Sequence, residues 1–275
     1  LVHYSKIPFY QIDTTFYITQ EDTSLHLPYL FYLLNYCKLS KIKGDVGVPG
    51  LNREMAYLEK VMYPPFFEQR NIAHILSKIQ SAIEAQEKII QTTTELKKAL
   101  MQKLFTEGLK GEPQKETEIG LVPKSWEIKK IEKFCDIRSS SILFSEINTI
   151  KAAQGKSAVR VLALKVSDMN LEGNEDEIKS AQIEFYLNES SKHIKYIIPP
   201  LALIFPKRGA AISTNKKRII LCHSILDPNL MALIPDHTCN PYYLYHYFQR
   251  FDLRTITDKG LIPQLNKKDL MPLLV

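Results

Sequence analysis

The stretch from Glu68 to Phe105 contains neither Pro nor Gly, and that is what most limits how this chain can fold. Within it the apolar residues Ile72, Leu76, Ile79, Ile83, Ile90, Leu100 and Leu104 recur mostly at threes and fours, the period of a helix with one apolar stripe. Such a helix runs roughly 55 Å at 1.5 Å per residue. Gln86, Thr93 and Lys97 interrupt its seam, and a stripe of this length calls for a partner helix along much of it. Pro64 and Pro65 block any extension backwards, while Gly108 and Gly111 supply the backbone freedom with which helices end.

Beyond the helix the chain changes texture. Residues 109–124 are polar and rich in Gly, Pro, Glu and Lys, which reads as a linker, and Trp126 opens a second globular segment. Short apolar runs there, Val159 to Leu164, Gln182 to Leu187, Leu201 to Phe205 and Arg218 to Cys222, are predicted strands of a mixed, β-rich domain. A helix is expected from Pro241 to Phe251, with Asn240 as its N-cap and Pro241 in its first turn. The expected class is therefore α+β, a β-rich domain attached to one long amphipathic helix.

Composition narrows the function. The longest apolar run, Tyr196 to Phe205, is interrupted by Pro199 and Pro200 and falls far short of the roughly 20 residues needed to span a bilayer. No signal-peptide pattern opens the chain, so a soluble, cytoplasmic protein without a membrane partner is expected. Cys37, Cys135, Cys222 and Cys239 lie far apart with no C-x-x-C pair, which suggests reduced thiols and neither a zinc site nor a disulfide framework. The net charge of +6 suits a polyanion without demanding one. Leu1 at one end and the apolar run Leu270 to Val275 at the other read as cuts within a longer chain.

The two ends also repeat one another. Pro28-Tyr29-Leu30-Phe31-Tyr32 matches Pro241-Tyr242-Tyr243-Leu244-Tyr245, and Gly47-Val48-Pro49-Gly50-Leu51-Asn52 matches Gly260-Leu261-Ile262-Pro263-Gln264-Leu265-Asn266. The separation from Pro28 to Pro49 is 21 positions and from Pro241 to Pro263 it is 22, a difference of one insertion. The first copy runs on into Pro64-Pro65 and the long helix, whereas the second stops at Val275, giving one and a half repeats of a domain-plus-helix unit.

Three ordered segments carry a family resemblance: Tyr63-Pro64-Pro65-Phe66-Phe67-Glu68-Gln69-Arg70-Asn71-Ile72-Ala73, then Leu96 to Thr106, then Gly120-Leu121-Val122-Pro123-Lys124-Ser125-Trp126. Together they resemble the central conserved region of the specificity subunits of Type I restriction-modification enzymes. The resemblance implies two target recognition domains that each read half of a split site in the DNA major groove. They are held apart by antiparallel spacer helices, of which residues 67–108 would be one. On that plan residues 1–66 are the C-terminal part of a first recognition domain, 109–124 a linker, and 125–275 a second recognition domain truncated before its distal helix. The implied partners are double-stranded DNA, the methyltransferase subunits and, through them, the restriction and translocase subunit. Ile72, Leu76, Ile79, Ile83, Ile90, Leu100 and Leu104 would form the helix or subunit interface, which could also join two copies of the chain. No cofactor is expected on the chain itself, since S-adenosylmethionine, ATP and Mg would belong to the partner subunits.

The residues point the same way. Between Ser190 and Leu226 lie Lys192, Lys195, Lys207, Arg208, Lys216, Lys217 and Arg218, with no Asp or Glu. That segregation predicts a positive face toward phosphate. Arg can grip guanine with two hydrogen bonds and Asn adenine, so Arg208, Asn215 and Arg218 are the candidates for reading bases. Arg138, followed by Ser139, Ser140 and Ser141, is a further candidate for a phosphate contact.

A catalytic role is not expected. Asn240-Pro241-Tyr242-Tyr243 resembles the Asn-Pro-Pro-Tyr/Phe motif of N6-adenine methyltransferases, but its second Pro is missing and no glycine-rich loop precedes it. Glu175-Asp176-Glu177 reads as a solvated acidic turn, not as a metal site, and His193, His223 and His246 have no partners whose spacing recommends a triad. The competing non-enzymatic expectation is an assembly module that dimerises through its long helix.

Overall fold

The computed structural model describes residues 2–12, 15–37, 39, 51–140, 142, 144–147, 158–188, 191–258, 260 and 262–275. The predicted helix is present as Phe66–Glu107, 42 residues or about 63 Å of rise. It begins directly after Pro65 and ends at Gly108, whose φ of 68° is the left-handed geometry that glycine adopts without strain. In chain order the helices are α1 (Leu27–Tyr36), α2 (Arg53–Tyr57), α3 (Phe66–Glu107), α4 (Phe144–Ile147), α5 (Pro241–Arg250) and α6 (Lys267–Leu270). The strands are β1 (Gln114–Thr117), β2 (Gly120–Pro123), β3 (Cys135–Ser139), β4 (Val159–Leu164), β5 (Glu177–Ile178), β6 (Ile183–Leu187), β7 (Leu203–Pro206), β8 (Arg218–Ile220), β9 (His223–Leu226) and β10 (Leu230–Pro235). The class is α+β, as expected. Among the described residues no helix is long and apolar enough to cross a membrane.

Two compact units divide the chain, Leu1–Lys98 and Ala99–Val275. The boundary falls inside α3 and not in the expected linker 109–124. That linker is itself ordered, with β1 and β2 pairing antiparallel from Gln114 opposite Pro123 to Thr117 opposite Gly120. Its hairpin escapes a search for alternating apolar residues because β1 reads Gln-Lys-Glu-Thr.

In the first unit Leu25, Tyr29, Leu30 and Leu33 pack with Ala73, so the small side chain of Ala73 lets α1 approach α3 closely. Gln69, buried beside it, accepts a hydrogen bond from the His26 backbone N–H at 2.8 Å and donates one to the Pro64 carbonyl at 2.8 Å. Gln69 thus has a physical reason: its amide satisfies two main-chain groups, the His26 N–H just before α1 and the Pro64 carbonyl just before α3. Farther along, Ile72, Ile79, Ile83 and Ile90 are exposed and Leu76 is half-buried. Leu100 and Leu104, which belong to the second unit, are exposed as well. Among the described residues no other helix exceeds ten residues, so none of them matches the stripe in length.

The second unit is layered by strict alternation. In β10, Met231 and Leu233 face one side with Leu203 and Phe205 of β7, while Leu230 and Ala232 face the other with Ile204. The first side packs against Leu244, Tyr245 and Phe248 of α5. The second meets Leu162 and Leu164 of β4 and Leu226 of β9. Val161 and Ala163 then turn to a third cluster with Phe185, Leu187, Ile142 and Ile147. The order is therefore α5, the five-stranded sheet β3-β10-β7-β8-β5, the three-stranded sheet β6-β4-β9, and a last apolar layer. Because β7 and β10 are covered on both faces, their sequences read as continuous apolar runs. The four cysteines carry free thiols, and burial pushes that of Cys135 up to about 12.

The repeat is visible as structure. α1 and α5 are each ten residues long with Pro in the first turn, and α2 and α6 both start from an Asn N-cap, Asn52 and Asn266. Asn52 accepts from the Met55 N–H at 3.1 Å, and the Asn266 N–H donates to Asp269 Oδ2 at 2.7 Å. Of the matched turn in the first copy, Gly47 to Gly50 lie outside the described residues.

Candidate nucleic-acid interface

The sheet register gathers part of the basic set. β7 and β8 are antiparallel neighbours, with Leu203 opposite Ile219, so the connection 207–217 closes one end of the five-stranded sheet. β3 runs antiparallel to β10 and β10 antiparallel to β7, which places Ser139, Met231 and Phe205 in one row. Arg138 therefore lies at the same end as Lys207, Arg208 and Lys216. Arg138 is exposed, and its Nε donates to Asp136 Oδ2 at 2.7 Å. Ser141 lies outside the described residues. Lys192 and Lys195 are exposed but sit on a different connection, from β6 to β7, where the Lys195 ammonium lies 5.0 Å from the Tyr196 ring centre.

The main chain of residues 207–209 is stitched to the second copy of the repeated turn. The Leu265 N–H donates to the Lys207 carbonyl at 2.8 Å and the Gly209 N–H to the Pro263 carbonyl at 2.8 Å, with Arg208 bridged to Gln264. Asn229 accepts from the Lys207 N–H at 2.8 Å through its carbonyl. The signature Gly260 to Asn266 thus braces the basic loop, which makes Gln264 a member of this surface that charge counting could not find. The exposed Arg208 guanidinium is left on a rigid support, while burial, followed by the neighbouring Arg208 charge, lowers the pKa of half-buried Lys207. Lys216, half-buried, donates to the Asn170 side chain.

One of the predicted contacts, Lys217, is corrected, and two more, Asn215 and Arg218, are half-buried and bonded within the fold. Lys217 is fully buried: its ammonium donates to Asn215 Oδ1 at 2.8 Å and to the Phe251 carbonyl at 2.5 Å. Burial depresses its pKa to about 8, against the opposing pull of Asp252. Asn215 holds a left-handed backbone, φ 51°, and its side chain also accepts from the Leu253 N–H at 3.0 Å and donates to the Phe251 carbonyl at 3.3 Å. Arg218 is half-buried and donates to the main-chain carbonyls of Asn174 at 2.7 Å and Lys217 at 2.8 Å. These side chains are committed within the fold because a buried donor without a partner is costly, and neither phosphate nor a base edge can reach Lys217.

The acidic turn is exposed at Glu175 and Asp176, as expected, and is also tied to α5. The Tyr242 hydroxyl donates to Glu177 Oε1 at 2.9 Å and the Tyr245 hydroxyl to Asp176 Oδ1. Asn240 of the methyltransferase-like tetrapeptide is an N-cap, its Oδ1 accepting from the N–H groups of Tyr242 at 2.9 Å and Tyr243 at 3.1 Å. Among the described residues no cluster of His, Cys, Asp or Glu could hold a metal ion. The set that remains, Arg138, Lys207, Arg208 and Lys216 at one sheet end with Lys192 and Lys195 elsewhere, can supply charge-assisted hydrogen bonds to phosphate and, from its two arginines, bidentate ones.

Comparison with known proteins agrees with the resemblance read from the sequence. Residues 1–95 match the family model described as Type I restriction modification DNA specificity domain. The chain is 37% identical over 116 residues to the specificity subunit of the Type I restriction enzyme MjaVIII of Methanocaldococcus jannaschii, an alignment covering 40% of this chain and 27% of that protein. The chain thus spans about a quarter of that relative's length. Its fold resembles the Type I restriction-modification S subunit from M. genitalium, with a TM-score of 0.54 and 13% identity over 91% of this chain and 61% of that one.

Proposed function

We propose that this chain, whose residues 1–95 match the Type I restriction modification DNA specificity domain, binds duplex DNA and reads part of a bipartite site without catalysing a reaction. The observation that carries this reading is the basic group at one end of the five-stranded sheet, held on main chain that the second copy of the repeated turn braces. Phosphate neutralisation by Arg138, Lys207, Arg208 and Lys216 would set the position of the duplex, and Arg208, exposed on a fixed loop, would reach a base edge. The exposed apolar stripe of α3 would take up a partner helix and the methyltransferase subunits, and through these the restriction and translocase subunit. S-adenosylmethionine, ATP and Mg would be bound by those partners, and the complex would work in the cytoplasm.

The exposed stripe also favours a second reading, an assembly module that pairs two copies of the chain and reads no DNA. Binding of the purified chain to a duplex at several salt concentrations separates the two. A DNA reader is expected to give a log K against log salt slope of about −3 or steeper, roughly 0.9 for each neutralised phosphate. A slope near zero, beside a stable dimer, would sink the DNA reading.

A further inference from the structure

Lys217 lies in the most basic stretch of the sequence, yet the fold turns it inward, and its volume alone does not explain a lysine there. A buried ammonium is unfavourable compared with an alkyl chain of the same length unless it does something the alkyl chain cannot. What it does is join two segments. It grips Asn215 Oδ1 at 2.8 Å, at the left-handed residue that ends the turn Gly209–Thr214, and the Phe251 carbonyl at 2.5 Å, on the far side. Asn215 doubles the link, accepting from the Leu253 N–H at 3.0 Å and donating to the Phe251 carbonyl at 3.3 Å. The latch lies at one foot of the connection 207–217, and the Pro263–Leu265 bracing lies at the other. Arg208 stands on the bracing at one end of this connection, and Lys216 stands in the latch itself, between Asn215 and Lys217, at the other.

We infer that Lys217 and Asn215 are positioning residues for sequence reading, a buried latch that holds the loop bearing Arg208 and Lys216 in one conformation. The inference rests on the DNA-reading proposal above. A preorganised loop binds its site without first being ordered, so the latch should matter for the correct sequence and little for generic phosphate attraction.

The test uses the full chain with Lys217→Met, which fills the same volume without donors, and Asn215→Gly, which keeps the left-handed backbone and removes the acceptor. Affinities are measured for the duplex motif that the unaltered chain enriches and for a scrambled duplex, with hydrogen exchange followed over residues 209–216. The expected result is faster exchange there, a roughly 10-fold or greater loss of preference for the motif, and unchanged affinity and salt slope on the scrambled duplex. Unchanged preference would overturn the inference. So would equal losses on both duplexes, which mark a purely structural role, or a slope shallower by about 0.9, which marks a direct phosphate contact. Should Lys217→Met fail to fold, Asn215→Gly decides alone by the same readings. A wild-type chain that enriches no motif fails before any variant is made, and that outcome removes the DNA-reading proposal itself.

Discussion

Replacing Arg138, Arg208 and Lys216 together with Gln is expected to weaken duplex binding on the order of 100-fold at about 0.15 M salt. Each lost phosphate contact removes roughly 0.9 from the salt slope, which at that salt is about a 5-fold loss, and the three together flatten the slope by about 2.7. The fold should survive, because Arg138 and Arg208 are exposed and the half-buried Lys216 donates to a side chain, that of Asn170, and not to the main chain of the core. The ion pair of Arg138 with Asp136 lies half in water and contributes about 1 kcal/mol at most. Titration of one labelled duplex at several salt concentrations reads both quantities. An unaltered slope would mean that this end of the sheet faces away from DNA.

The largest effect on stability is expected from Phe248→Ala. Phe248 is buried and lies parallel to Phe205, with ring centres 6.3 Å apart and planes 9° apart, where α5 packs on the five-stranded sheet. Removing so large a buried ring costs about 3–5 kcal/mol in lost transfer and in the cavity left behind. For a unit of this size that lowers the unfolding midpoint by roughly 10 °C, and it removes much of the roughly 5–15 kcal/mol by which such domains are stable. Thermal unfolding followed by circular dichroism measures it. A shift of only a degree or two would show that α5 does not anchor the sheet.

Much of this architecture could be read from the residues, and the exceptions have physical causes. α3 was legible because Pro65 and Gly108 bound an uninterrupted helical period, and α5 because Asn240 and Pro241 announce its start. β7 is covered on both faces and shows as a plain apolar run, β10 was passed over although it is covered in the same way, and β1 and β2 form a small polar hairpin that composition mistakes for linker. The basic stretch was visible too, but charge counting does not say which way a side chain points. Lys217 and Arg208 look alike in sequence; the register of β7 and β8, the left-handed turn at Asn215 and the carbonyl of Phe251 turn one inward, while the turn around Pro263 holds the other at the surface. Gln264 was missed for the converse reason, since its part comes from main-chain pairing with Arg208, a contact 56 positions distant in sequence.

Selection from a random duplex library by the full chain at physiological salt decides whether this chain reads a DNA sequence. Enrichment of one short motif, single or split, is expected. A bound pool whose sequences stay random, from a chain that is folded and retains duplex at low salt, would contradict it.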